Sequence, residues 1–327
     1  MSGGLVSLRK LAFTIRVPLT ELQKIASEAQ RDWRSHYGHF SKIKRSGTAR
    51  HIYPPKPRLK DIQRRLNRYV LETLDYGDNA HGSLRGCSPA SNALPHAGAR
   101  MVVTNDIKAF FPSVSSRRVY RMLRREQHFG RDVAGLITRL TTIEGRLPEG
   151  APTSSFLANL VLVRALDGAM ADDLAERSIV YTRYVDDLTF SGDNPLPFIT
   201  ISAKLLSRCG LKVHRPKRPV DALADSTHAK VEKPKLRATP SHRPQEVTGL
   251  LVNTPHRVTM PRADRDKVRA AIHHFRSSSS PADAQRELAS IHSRIARVAK
   301  LHPGEGLRLK RYLEAALSAD KRQSEAV

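Results

Sequence analysis

The chain has 327 residues, 39% of them hydrophobic, enough for one large domain or two to three small ones and against wholesale disorder. Its 56 Lys and Arg against 31 Asp and Glu give a formal charge of +25, which repels itself and points to a polyanionic partner. Nucleic acid leads an anionic membrane surface, because each neutralised phosphate releases counterions, and no apolar run approaches the ~18 residues of a spanning helix. The N-terminal MSGGLVSLRKLAFTIRVPLT has no secretory pattern, and Cys87 and Cys209 lie far apart without metal-ligand spacing. A cytoplasmic protein without a membrane partner is therefore expected.

Thr20 with Gln23 reads as a capping box opening a helix through about Gln30. Residues 31 to 68 hold twelve Lys or Arg and two acids, interleaved with Tyr37, Phe40 and Tyr53. LKDIQRRLNRYVLETL (59 to 74) has helical spacing, and HGSLRGCSPASNALPH (81 to 96) reads as a loop. ARMVVTND is a β-branched run ending on Asp106, which predicts a buried strand. A helical pattern covers 116 to 140, and Gly150, Ala151 and Pro152 form a turn before a long helix carrying Phe156, Leu157, Leu160, Val161 and Leu166. IVYTRYVDDLTFSG (179 to 192) predicts two short strands joined at Asp186–Asp187. LPFITISAKLLSRCG is a helix ended by Gly210. The stretch 206 to 245, with ten Lys or Arg and five prolines, reads as a basic, irregular connector. EVTGLLVN (246 to 253) predicts one strand with a turn after it, and the pattern beyond Pro261 is helical to the end.

Phosphoryl transfer to a sugar hydroxyl needs an activated nucleophile and a stabilised leaving group, and two Mg²⁺ ions held by carboxylates provide both. Asp106 ends an apolar strand, and Asp186–Asp187 sit at a hairpin tip eighty residues later. If those strands are neighbours, three carboxylates converge. A lone Asp-Asp pair is more often a solvated turn, and Asp172–Asp173 inside a helical pattern reads as a solvated helix face, since consecutive side chains there diverge by ~100°.

The surrounding residues separate the two pairs. YVDD at 184 to 187 followed by LTFSG resembles the catalytic hairpin of reverse transcriptases. NDIKAFFPSV (105 to 114) resembles their first aspartate motif, and LPEGAPTSSFLANL (147 to 160) the turn and helix beneath the incoming nucleotide. RHIYPPKPRLKDIQRRL (50 to 66) is similar to their fingers region, and GLKVHRPKR (210 to 218) more loosely to their lysine-bearing motif. NALPH (92 to 96) and VTGLLVN (247 to 253) further resemble the Asn-Ala-x-x-His and Val-Thr-Gly elements of the retron subgroup.

That resemblance implies an α+β right hand: an N-terminal helix and fingers over 1 to 100, a palm over 101 to 255 containing the connector, and a helical thumb over 256 to 327. It implies Asp106, Asp186 and Asp187 as catalytic carboxylates and holders of two Mg²⁺, with the carbonyl of Ile107 as an extra ligand. Arg50, Phe111, Glu149, Gly150 and Lys217 would form the nucleotide pocket. There Phe111 excludes a 2′-hydroxyl by size, Lys217 protonates departing pyrophosphate, and Lys42, Lys44 or Arg45 add charge. Asn92, His96, Val247, Thr248 and Gly249 would bind RNA. The implied partners are deoxynucleoside triphosphates, a cognate non-coding RNA as template and primer, its RNA-linked DNA product, and a separate effector protein in phage defence. Glu149 stands where the family usually has Gln, Ser155 where it has Pro, His214 where it has Asn, and Arg218 where it has Thr or Ser. A bacterial reverse transcriptase of abortive-infection or intron-related type is the competing reading, and a basic RNA-binding protein with a dead palm is a third.

Overall fold

Apolar spacing and turn chemistry build the N-terminal part first. The computed structural model describes residues 4–43, 47–214, 236–275 and 281–324. Helices α1 (Leu8–Ile15) and α2 (Leu19–Arg31) bury Leu11, Ile15, Leu22 and Ile25. The hairpin β1 (Phe40–Ile43) and β2 (Ala49–Ile52) follows, then α3 (Pro57–Tyr69), α4 (Pro89–Ala93) and strand β3 (Met101–Asp106). Short helices α5 (Phe110–Ser113) and α6 (Ser116–Arg121) lead to α7 (Arg131–Thr141). Helix α8 (Ser154–Leu162) runs through a wide π turn, Val163–Asp167, into α9 (Gly168–Glu176). Strands β4 (Val180–Tyr184) and β5 (Asp187–Gly192), helix α10 (Pro197–Arg208), and strands β6 (Arg237–Pro240), β7 (Glu246–Val247) and β8 (Leu250–Leu251) come next. Three helices end the chain: Arg262–His274, Pro281–Leu301 and Pro303–Ser324.

The arrangement is α+β with small antiparallel sheets. The main sheet has the order β4-β5-β3-β6, all pairs antiparallel. Because side chains alternate between faces along a strand, the register sorts them. Val103, Tyr181, Leu188 and Phe190 share the face packed on the larger core, where Tyr181 stacks on Phe190 at 4.9 Å and Phe190 on Phe198 at 5.7 Å. Thr104, Thr182, Thr189 and Ser191 lie on the opposite face, which is hydroxyl-rich. Val102 points to that side too and joins a second core with Val247, Leu250, Val252 and the C-terminal helices.

Several expectations are corrected. The N-cap of α2 is Pro18, with no side-chain cap from Thr20; the fixed φ of Pro18 starts the helix two residues earlier than the capping box would. The 81 to 96 loop ends in α4, opened by a reciprocal Ser88–Ser91 capping box, and in a 3₁₀ turn, Leu94–His96. The basic connector contributes β6, which pairs with β3. EVTGLLVN is a hairpin and not one strand, because Thr248 and Gly249 take φ of 47° and 79° and reverse the chain. Helix 154–176 is long and apolar enough to cross a membrane, contrary to the reading of the apolar runs. Its most apolar stretch is 56% buried in the fold, as a core helix would be.

Candidate active site

Asp106 ends β3 and Asp187 begins β5, and the two are directly opposed in register. Directly opposed residues of an antiparallel pair share a face with Cβ atoms ~5 Å apart, so both carboxylates project from the hydroxyl-rich face. Asp186 stands beside them in the two-residue turn Val185–Asp186, and its carbonyl accepts a hydrogen bond from the Ile107 amide at 3.0 Å. Asp106 is 6% exposed, Asp186 half-buried and Asp187 exposed.

Like charges crowd here. Burial first, then Asp106 and Asp187, push the Asp186 carboxyl up to about 7. His214 places Nε2 3.5 Å from Asp106 Oδ2 and donates its backbone N–H to the Asp106 carbonyl at 2.9 Å. Excess negative charge of this kind is what a hard divalent cation neutralises. Among the described residues no three or more His, Cys, Asp or Glu enclose a metal position. A Mg²⁺ that keeps waters and substrate phosphates needs only one or two carboxylates from the protein, and this donor set fits such an ion.

The hairpin is held from behind by residues that the sequence reading did not single out. Arg183, on β4 and fully buried, forks to Asp167 at 2.9 Å and bonds Asn159, both on the helix that crosses the core face. Tyr181 Oη donates to Asp167 at 3.0 Å, and Asn159 donates to the Gly82 carbonyl at 2.8 Å. Backbone bonds from Arg183 N to the Asn79 carbonyl and from His81 N to the Arg183 carbonyl, 2.8 and 2.9 Å, tie the 79–82 loop to the strand. A Cβ at Gly82 would lie 2.4 Å from Val185 N, so only glycine allows this approach. Val185 itself has φ of 61°, a conformation that costs a β-branched residue energy and persists only where its surroundings impose it.

Arg50 and Glu149 form an ion pair, so the carboxylate at the family's glutamine position is neutralised by a cation. The Glu149 carbonyl accepts from Tyr53 N at 2.7 Å. Gly150, at φ 97°, leaves no room for a Cβ, which would meet Ile52 at 2.7 Å. The turn before α8 thus clasps the end of β2. Phe111 is half-buried against the core, 5.7 Å from the buried Phe110 ring. Lys42 is exposed on β1. Lys44, Arg45, Lys217 and Arg218 lie outside the described residues.

Asn92, His96 and Val247, from the RNA-binding set, are enclosed in the fold. Asn92 and His96 are 0% exposed and Val247 1%, so all three side chains are covered by neighbouring elements. His96 bonds Ser191 Oγ at 2.6 Å and Thr182 Oγ1 at 2.8 Å, closing the hydroxyl face of the sheet. Thr248 is half-buried, its hydroxyl donating to the Pro89 carbonyl at 2.9 Å, and Gly249 is exposed. The two subgroup elements therefore meet in space, with α4 against β7 and β8.

His96 carries a pH prediction. Burial, then neighbouring His81, pushes its imidazole down to about 3. The unfolded chain takes up a proton near the ordinary 6.5 while the fold excludes it. The contribution is therefore full above about 6.5 and falls by about 1.4 kcal/mol per unit as pH drops towards 3. Urea unfolding at pH 7.5 and 5.0 should show the parent losing about 2 kcal/mol more than His96→Gln. Equal losses would mean that His96 is protonated in the fold.

No protein-family model matches the chain. It is 32% identical to the retron Mx65 reverse transcriptase of Myxococcus xanthus over 322 residues, covering 92% of this chain and 70% of that protein. Identity to the retron Mx162 reverse transcriptase of the same organism is 32%, over 92% of this chain and 65% of the relative. The retron Ec86 reverse transcriptase of Escherichia coli is 29% identical over 69% of this chain and 65% of its own length. A telomerase structure from Candida albicans overlays at a TM-score of 0.43 with 10% identity, covering 89% of this chain and 61% of that one, too loosely to add weight.

Proposed function

The chain belongs to the retron reverse transcriptases, which are RNA-directed DNA polymerases, and on that footing we propose that it copies part of a cognate non-coding RNA into RNA-linked DNA at Asp106, Asp186 and Asp187. The observation that carries this is the direct opposition of Asp106 and Asp187 across β3 and β5, with Asp186 in the turn between the strands.

Asp106 and Asp186 would hold Mg²⁺, with Asp187 beside them and the Ile107 carbonyl as a further oxygen. Two such ions, when bound, activate the primer hydroxyl and neutralise charge on the leaving pyrophosphate. Arg50 would exchange Glu149 for the triphosphate, its planar fork suiting phosphate oxygens. Gly150 brings the turn close to that arginine. Phe111 would stand against the sugar and reject a 2′-hydroxyl, and Lys217 would give a proton to pyrophosphate. Residues 1 to 100 serve as fingers, 101 to 255 as palm and 256 to 327 as thumb. Thr248 and Gly249, at the tip of β7–β8, remain as candidate RNA contacts. The primer would be a 2′-hydroxyl of the cognate RNA, and the setting phage defence in the cytoplasm with a separate effector protein.

The test is extension of a primer on an RNA template by the purified protein with deoxynucleoside triphosphates. DNA synthesis that needs a divalent cation is expected; RNA binding without synthesis would favour a dead palm.

Glu149 gives a second outcome. Its charge is already paired with Arg50, so Glu149→Gln should cost no more than a few-fold in kcat/KM, about 1 kcal/mol. A loss as large as that of an Asp186 variant would mean that Glu149 belongs to the metal site.

A further inference from the structure

Away from the carboxylates, α7 packs on α6 and on α1 and α2, and these helices border an open groove of about 640 Å³. Arg117 from α6 and Arg131 and Arg139 from α7 line it, with Tyr120, Asp132 and Gly135. No residue of the main sheet or the β1–β2 hairpin takes part.

These cations are not held by ion pairs within the described fold. Among the described residues none of the three is paired with a carboxylate, whereas the part-buried Arg265 and the fully buried Arg183 both are. Arg131 sits in the first turn of α7, where the helix dipole disfavours a cation and favours an anion. Gly135 occupies the middle of α7, and a Cβ built there meets nothing within 4 Å. Packing does not require glycine at that point, and glycine weakens a helix relative to alanine. It does leave a bare backbone floor between Arg131 and Arg139.

We propose that this groove binds a single nucleic-acid strand by its phosphodiesters, as a second contact area distinct from the site of synthesis. Three guanidiniums against one carboxylate, Asp132, leave two positive charges spread along an open channel, a form that suits successive phosphates better than one enclosed small anion. Tyr120 adds a ring on which a base can stack. The proposal rests on the reading of the chain as a reverse transcriptase, for which a bound RNA supplies the strand.

The test uses the full chain freed of co-purifying nucleic acid, with fluorescently labelled single-stranded RNA and DNA of one sequence. Arg117→Gln/Arg131→Gln/Arg139→Gln should weaken RNA binding about ten-fold or more in low salt. The slope of log affinity against log salt should fall by about two, since each lost phosphate contact removes ~0.7 on a single strand. Gly135→Glu, which puts a carboxylate on the open floor, should weaken binding in the same direction, and it stands in if the triple variant does not fold. Extension of a pre-annealed short primer–template at saturating concentration should stay within two-fold of the parent, which separates failure here from failure of the polymerase reading. Weakening confined to RNA assigns the groove to the template or primer, and equal weakening of RNA and DNA assigns it to either strand; both support the proposal. A parental salt slope in both variants, or weakened binding of inorganic triphosphate with neither strand affected, would overturn it.

Discussion

Replacing Asp186 with Asn is expected to reduce primer extension by at least about a thousand-fold, equivalent to about 4 kcal/mol of transition-state stabilisation. Asparagine keeps the shape of the side chain and removes the charge that would hold a cation. RNA affinity should change little, because the basic surface is untouched. Stability should not fall either. The Asp186 carboxyl is pushed up to about 7 by burial and by its two neighbours, so its ionised form costs the fold free energy as pH rises from the ordinary carboxylate range through 7. Asparagine escapes that cost. Near-parental synthesis by Asp186→Asn would remove the carboxylates from the centre of the reaction. Loss of synthesis together with loss of folding would show that the side chain is structural.

The second large effect falls on Arg183. Arg183→Met keeps most of the side-chain volume but leaves Asp167 buried without its cation, and breaking a buried pair in this way costs about 3–5 kcal/mol. Urea unfolding measures it directly. The double variant Arg183→Met/Asp167→Leu removes both charges and should recover much of that loss, because replacing a whole buried pair by apolar groups is often nearly neutral. Recovery of stability without recovery of kcat would separate holding the β4–β5 hairpin in place from merely holding the fold together. Arg183→Lys should rescue little, since an ammonium cannot fork to Asp167 and Asn159 together. A cost below about 1 kcal/mol for Arg183→Met would mean that the network is not what fixes β4.

Local signals carried the parts of the fold that position the carboxylates. The β-branched run MVVTND and the alternation around Tyr184 and Leu188 are readable without tertiary information, and β3, β4 and β5 follow them. What was not legible depends on distant partners. Strand β6 lies in a basic segment with little strand character, and only its pairing with β3 makes it a strand. The hairpin in EVTGLLVN hides because threonine seldom takes the left-handed conformation that Thr248 adopts. The burial of Asn92, His96 and Val247 was not legible either, because motif position says nothing about enclosure. Their enclosure behind the sheet follows from α4 folding onto the β7–β8 hairpin.

Arg183 was legible in principle. It lies two residues from Tyr181, on the same face of β4, and a charge on the inward face of a strand calls for a buried partner. Asp167 could not be picked out as that partner, because a π turn at Val163–Asp167 shifts the helical face on which it falls. The pairing of Arg50 with Glu149 was not legible, because 99 residues of separation leave no local signal for it.

Sequencing the nucleic acid that co-purifies with the protein tests the retron assignment most directly. An RNA covalently joined to a DNA complementary to part of that same RNA is expected from the parent, and the RNA alone from Asp186→Asn. Unrelated cellular RNAs without attached DNA, recovered from the parent in a form active in primer extension, would contradict it and favour another class of bacterial reverse transcriptase.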